Sequence, residues 1–284
     1  MATLDHVPAE RIAESLAFIN WTVLTALGVG SFAAVVAGRF RTDATKGYLA
    51  FTAFSAAAFA LLAGLADTGL PSLSPDLAVR ADPAWDAIRR LALLALPVIA
   101  AIYGVALLRG RRAAPIALAG LAAAALVLVS GALSWGGGGI DSLLLLVELG
   151  GLSAVLGGVW AAMVLGHWYL VTPRLPEAPL IRFARWLGIA LAIQVGLFVV
   201  WLGFGAGPSG APAFASLVGP WALFVWLRLL VGILFPLVVS WAAVQTARTR
   251  SMESATGLLY INVGTIAAGT ILAAGLYFGA GLLV

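Results

Sequence analysis

Glu148 is the one acidic side chain set inside a long apolar run of this 284-residue chain rather than at the edge of one. Ionising a carboxylate in hydrocarbon is costly, so a residue in that position marks a ligand site, a proton-transfer site or an ion pair. Arg228, also inside an apolar run, is the nearest counter-charge in kind. The sequence compared with itself adds two more polar positions. A shift of 128 residues places Asn20 on Glu148, and a shift of 139 places Arg89 on Arg228. Glu148, Arg228, Asn20 and Arg89 are therefore the expected polar lining of a pocket that could take a quinone head group, a lipid or a transported anion. The alternative is a structural ion pair, or a glutamate that snorkels to the interface.

Four further polar residues fall in apolar runs. His167 sits in GHWYLVTPRL and matches Arg39 under the 128-residue shift, which suggests a place near the membrane surface. Gln194, Asn262 and Tyr260 could line an interior path or, more commonly, hydrogen-bond one helix to another. The only other histidine, His6, is expected on the opposite side of the membrane from His167, which argues against a bis-histidine b-type haem within the chain. There is no cysteine, which excludes thiolate metal sites and covalent haem attachment. Lys46 is the only lysine and lies in a loop, so no retinal Schiff base is expected. GAGPSG, from Gly205 to Gly210, fits a dinucleotide-binding pattern, but no strand precedes it and no βαβ unit surrounds it. No catalytic residue and no metal site is predicted.

These residues must be carried on membrane helices. The chain is 62% apolar and 10% charged, far from the quarter or so of charged residues in a soluble domain. Runs long enough to cross a hydrocarbon core of about 30 Å recur from end to end. Hydropathy places helices near 16–38, 48–67, 89–108, 113–134, 143–170, 181–203, 221–247 and 255–282. The expected fold is an all-α polytopic membrane protein of about eight transmembrane helices, forming one membrane domain over 1–284. The first stretch, MATLDHVPAERIAE, is acidic and lacks the basic start of a signal peptide, so the first helix is expected to remain.

The loops alternate in charge. The odd ones hold Arg39, Arg41 and Lys46, then Arg109, Arg111 and Arg112, then Arg174 and Arg182, then Arg248 and Arg250. The even loops and the N-terminal tail hold Asp5, Glu10, Glu14, Asp67, Asp76, Asp82, Asp86 and Asp141, with Arg11 and Arg80 as the basic exceptions. The positive-inside rule then puts the odd loops in the cytoplasm and both termini outside, in a plasma or bacterial inner membrane. Trp21, Trp85, Trp135, Trp201 and Trp221 are expected in an outer aromatic belt, and Trp168, Trp186 and Trp241 in an inner one. Basic residues are confined to short loops, so no nucleic-acid partner is expected.

The two shifts also suggest a duplication. Leu24, Gly30 and Gly38 fall on Leu152, Gly158 and Gly166, while Pro97, Arg109 and Arg111 fall on Pro236, Arg248 and Arg250. Four helices return the chain to its starting side, so two tandem four-helix units, 16–134 and 143–282, would run parallel to each other. Close helix contacts are expected through Gly150, Ala154 and Gly158, and through Gly264 and Ala268. Pro97 and Pro236 are expected to kink their helices.

In function, the pattern points first to a membrane subunit of a redox or energy-converting complex. It would offer a quinone-accessible pocket near the outer face, hold no covalent cofactor, and work with other subunits in the lipid bilayer. This size and helix count are similar to those of membrane subunits of the polysulfide-reductase type, whose motifs are absent here. A proton-coupled transporter or channel using Glu148, and a scaffold or assembly subunit without chemistry of its own, are the alternatives.

Overall fold

A computed structural model describes residues 8–73, 77–172 and 175–284. Asp5, His6, Asp76 and Arg174 lie outside the described residues. Eight helices are long and apolar enough to cross a membrane: α1 (Leu16–Arg41), α2 (Lys46–Thr68), α3 (Pro83–Leu108), α4 (Ala114–Trp135), α5 (Gly139–Val171), α6 (Ala178–Phe204), α7 (Ala222–Arg248) and α8 (Met252–Ala280). A short helix, Pro8–Glu14, precedes them. No strand occurs among the described residues. The protein is thus an all-helical chain with eight candidate spans. Their ends fall within a few residues of the hydropathy limits, and where α1, α2 and α6 overrun them hydrogen bonding continues into polar turns. Thr45 caps α2 by accepting from the Tyr48 N–H, and Pro83 opens the first turn of α3.

The outward face of α3 shows why these helices suit lipid. Leu91, Leu94, Val98, Ile102 and Val105 recur every three or four residues and are exposed, while Leu93, Leu96, Ala100, Tyr103 and Leu107 on the other face are buried. Both faces are apolar. The inward one is distinguished by fit rather than by polarity, as expected where lipid tails are as apolar as the core.

Contacts between helices distant in sequence define two ends of the bundle. At one end Phe18 of α1 stacks on Phe278 of α8, with ring centroids 5.0 Å apart, and Trp135 at the end of α4 packs edge-on against both. At the other, Arg39 donates to the Gly110 carbonyl beyond α3, and Arg250 pairs with Glu177 ahead of α6. The start of α1 and the end of α8 therefore share one end, and the odd, basic loops share the other.

α1 and α5 pack along each other, with α2, α8, α6 and α4 around them; α3 sits against α2 and α4, and α7 against α6 and α8. The α1–α5 seam closes at Gly30 and Gly157, where a Cβ built on either would run into the backbone of the other helix. Gly232 of α7 and Gly269 of α8 cross similarly, a Cβ on Gly269 falling 2.5 Å from the Gly232 Cα. The seams expected at Gly150, Gly158 and Gly264 do not form; those glycines have open space around them. A shift of one residue rotates a helical position by about 100°, so the true contacts lie one residue away at Gly157 and five away at Gly269.

The tryptophans expected in the aromatic belts differ in how far the helices cover them. Trp21, Trp135 and Trp201 are buried, whereas Trp241 is exposed. Trp21 and Trp135 meet edge to face, 4.7 Å between centroids, because the helices carrying them converge at this end.

Candidate functional site

Two charged constellations lie buried at the end of the bundle where α1 starts and α8 ends, each placed by helix geometry. Glu148 stands about 13 Å along α5 from its start at Gly139, and Arg228 about 9 Å along α7 from Ala222, by helical rise. Their side chains meet with Arg228 Nη2 3.7 Å from Glu148 Oε1, and they are 2% and 6% exposed. That separation is an ionic contact rather than a hydrogen bond. Arg228 Nε donates to the main-chain oxygen of Val284 at 3.3 Å. Glu148 Oε1 has no hydrogen-bond partner.

Gln194 of α6 completes this region. It abuts α5 at Gly151, one turn beyond Glu148, where its Nε2 lies 3.5 Å from the position a Cβ would take. It is buried, and neither its Nε2 nor its Oε1 is paired. Glu148 Oε1 and both polar atoms of Gln194 thus lack partners within about one turn of α5, which is unusual because buried polar groups are almost always satisfied.

The backbone around Arg228 is shaped to hold it. A π-helical turn, Leu230–Leu234, follows directly and leads into Pro236. Proline has no N–H to donate to the carbonyl four residues back, and a π turn is a common way to absorb such a defect. Gly232 and Gly269 leave room for the guanidinium, since Arg228 Nη1 lies 3.2 Å from where a Cβ on Gly269 would sit. Asn262 locks α8 to α7 below the bend, donating to the Pro236 carbonyl at 3.2 Å and to Ser240 Oγ at 2.8 Å. Its role as a fastener between helices is thus satisfied on the donor side, while its Oδ1 is unpaired.

Arg89 belongs to the second constellation. Its Nε lies 2.6 Å from Asp67 Oδ2 and its Nη1 2.9 Å from Asp86 Oδ1; Nη1 also donates to Ser134 Oγ, and the guanidinium lies 4.5 Å from the centre of the Trp135 ring. Asp67 is fully buried and takes a second contact from Arg90, whose Nε is 3.3 Å away. A cleft of about 540 Å³, lined in part by Phe18, Leu73, Arg80 and Arg90, opens above. Asp67, Ser134 and Trp135 carry this site, yet in sequence Asp67 reads only as a loop charge, Trp135 only as a belt residue, and Ser134 not at all. The available signal was that Asp67 and Arg89 flank the same loop with opposite charge.

The remaining candidates separate. Asn20 is exposed on the flank of α1, next to buried Trp21, and does not join Glu148. His167 and Tyr260 meet at the opposite end, Tyr260 Oη lying 3.2 Å from His167 Nδ1. Near them in the loops, Arg250 Nη2 holds Glu177 Oε2 at 2.9 Å. The Glu177 carboxyl lies below its usual range, held there by its own backbone N–H and by the Arg250 guanidinium. Among the described residues no group of three His, Asp or Glu is placed to hold a metal ion.

Fold and composition define a multi-pass α-helical membrane protein with charged side chains paired inside its helical bundle. No known protein family, curated protein or solved structure matches the chain.

Proposed function

We propose that this chain is a membrane-embedded subunit of an energy-converting redox complex, and that Glu148, Arg228 and Gln194 form a quinone-accessible pocket near its non-cytoplasmic face. The observation that carries this reading is the buried ion pair whose Glu148 Oε1 is unbonded, beside a Gln194 amide with no partner at all. A quinone head group supplies the missing chemistry. Its carbonyl oxygens accept from Arg228 and from the Gln194 amide, and the hydroxyl of the quinol donates to the Glu148 carboxylate. Arg89, already held by Asp67, Asp86 and Ser134, is assigned to the walls of the bundle rather than to the pocket. Electron carriers are assigned to partner subunits, since this chain has no cysteine and His167 is its only described histidine.

The same reading orients the chain with its basic loops in the cytoplasm and both termini outside, in a plasma membrane. It takes the chain as two parallel four-helix units. Support for that duplication comes from the packing of α1 on α5 between the halves, with α8 beside α1 and α4 beside α5.

Isolation from native membranes, with analysis of co-purifying proteins, bound quinone and the absorption spectrum, tests this directly. Redox partners and retained quinone are expected, with quinol turnover strongly reduced by Glu148→Gln. Absence of quinone together with unchanged turnover in Glu148→Gln overturns the proposal. Proton-coupled transport is the second reading, favoured by the π turn and Pro236 next to Arg228, which give α7 a place to bend. Proteoliposome flux abolished by Glu148→Ala would select it. If substitutions at Glu148 alter only stability, the scaffold role remains.

A further inference from the structure

A half-open, almost wholly apolar groove lies on the outward surface at the opposite end of the bundle. It encloses about 360 Å³ between α2, α5 and α8, within the size range of small-molecule pockets. Trp160, Met163, Val164 and His167 line it from one face of α5, where their spacing of three and four residues stacks them along the helix. Phe51 of α2 and Tyr260 of α8 close the sides. No charged side chain contributes to the lining.

The groove is polar at one end only. His167 lies about 6 Å from the end of α5 at Val171, whereas Trp160 lies about 16 Å from it, by helical rise. The polar pair is therefore near the membrane surface and the aromatic and aliphatic walls run toward mid-bilayer. Tyr260 Oη and His167 Nδ1 are 3.2 Å apart, and the rings meet edge to face. With the tyrosine donating to Nδ1, the ring proton of His167 resides on Nε2, which makes no hydrogen bond within the protein.

We infer that the His167–Tyr260 groove binds a neutral, lipid-soluble quinone, with its ring against the polar pair and its isoprenoid tail along Trp160 and Met163. A phospholipid is the poorer occupant, because its phosphate would find no cation in the lining. A plain alkyl chain would leave the His167 N–H without use. This site is separate from the Glu148 pocket and does not depend on it; only binding is assigned to it, with no electron transfer between the two.

The test is photolabelling of the purified full-length protein in detergent with an azido-substituted short-chain ubiquinone, followed by peptide mapping. Label is expected in the α5 segment 160–168 or around Tyr260. The double variant His167→Ala/Tyr260→Phe should reduce it about tenfold, the usual effect of losing one or two hydrogen bonds. Phe51→Trp, which enlarges an exposed lining side chain and leaves both polar residues in place, should block labelling and keeps the test meaningful if the double variant folds poorly. Glu148→Gln should leave labelling of this segment unchanged. Label confined to peptides bearing Glu148 or Arg228, label insensitive to both groove variants, or displacement by excess phosphatidylglycerol overturns the proposal. The first of these outcomes would leave the Glu148 pocket standing.

Discussion

Gly157 of α5 lies so close to Gly30 of α1 that a methyl group on either would enter the backbone of the other. Because membrane helices gain little from burying apolar surface against each other, such backbone contact is where much of their association energy arises. Gly157→Ala is expected to destabilise the protein by about 1–3 kcal/mol, as overpacking does in a tight core. Gly158→Ala, one residue along and facing open space, should be neutral or stabilising by up to about 1 kcal/mol through helix propensity. Thermal unfolding of the two variants in the same detergent checks the contrast. Equal effects would mean that the seam lies elsewhere.

Asp67 is fully buried and meets two arginines of unequal standing. Arg89 is itself buried, whereas the Arg90 side chain is 53% exposed. Asp67→Ala leaves Arg89 with Asp86 and Ser134 alone, so it should cost about 2–3 kcal/mol, the loss of charge-assisted hydrogen bonds rather than of the whole pairing. Arg90→Ala should cost at most about 1 kcal/mol, as for other solvent-screened pairs. The double variant Asp67→Leu/Arg89→Leu should recover most of the loss, since it removes both charges together. Denaturant titration of the three proteins measures this, and failure of the double variant to recover would place the cost in the packing of Trp135 against Arg89.

The number of spans and the charge of their loops were legible in sequence because both depend on composition, which hydropathy reads directly. Facing was not. Leu91 and Leu93 are equally apolar, yet one is exposed and the other buried, since lipid and core reward the same side chains. Glycine spacing suggested close contacts but missed their register, and α5 uses Gly157 where Gly158 was expected. Glu148 and Arg228 were found because an ionisable residue is conspicuous in an apolar run. Asp67 was overlooked for the reverse reason. It stands in the last turn of α2, where hydropathy takes a charge for the start of a loop, and only the fold shows it covered by Arg89 and Arg90.

Glu177 and Arg250 tie the segment before α6 to the one after α7, and the pair is open to water. The Glu177 carboxyl is lowered in the folded protein, so the pair stabilises the fold fully above the ordinary carboxylate range. That contribution is lost as pH falls through the depressed folded value. The wild type should therefore unfold at a slightly higher temperature than Glu177→Gln at pH 7, and the gap should close on acidification and in high salt. A gap that widens in acid would contradict the assignment.

Orientation can be read by introducing single cysteines, because the chain has none of its own. Arg39, Arg111, Arg248 and Arg250 gather at the end of the bundle opposite the start of α1 and the end of α8, where Arg39 reaches the Gly110 carbonyl and Arg250 reaches Glu177. Positive charge is retained on the cytoplasmic side during insertion, so that end should face the cytoplasm. Ser209 lies in the loop at the other end, bonded through its N–H to the Gly281 carbonyl. In intact cells a membrane-impermeant maleimide should label Ser209→Cys and spare Arg111→Cys, and opening the membrane should expose both. Arg111 is exposed and makes no side-chain bond, so its replacement leaves the fold undisturbed. Labelling of Arg111→Cys alone in intact cells would invert the protein. The Glu148–Arg228 pair would then lie toward the cytoplasm, and the His167–Tyr260 groove would face the outer leaflet.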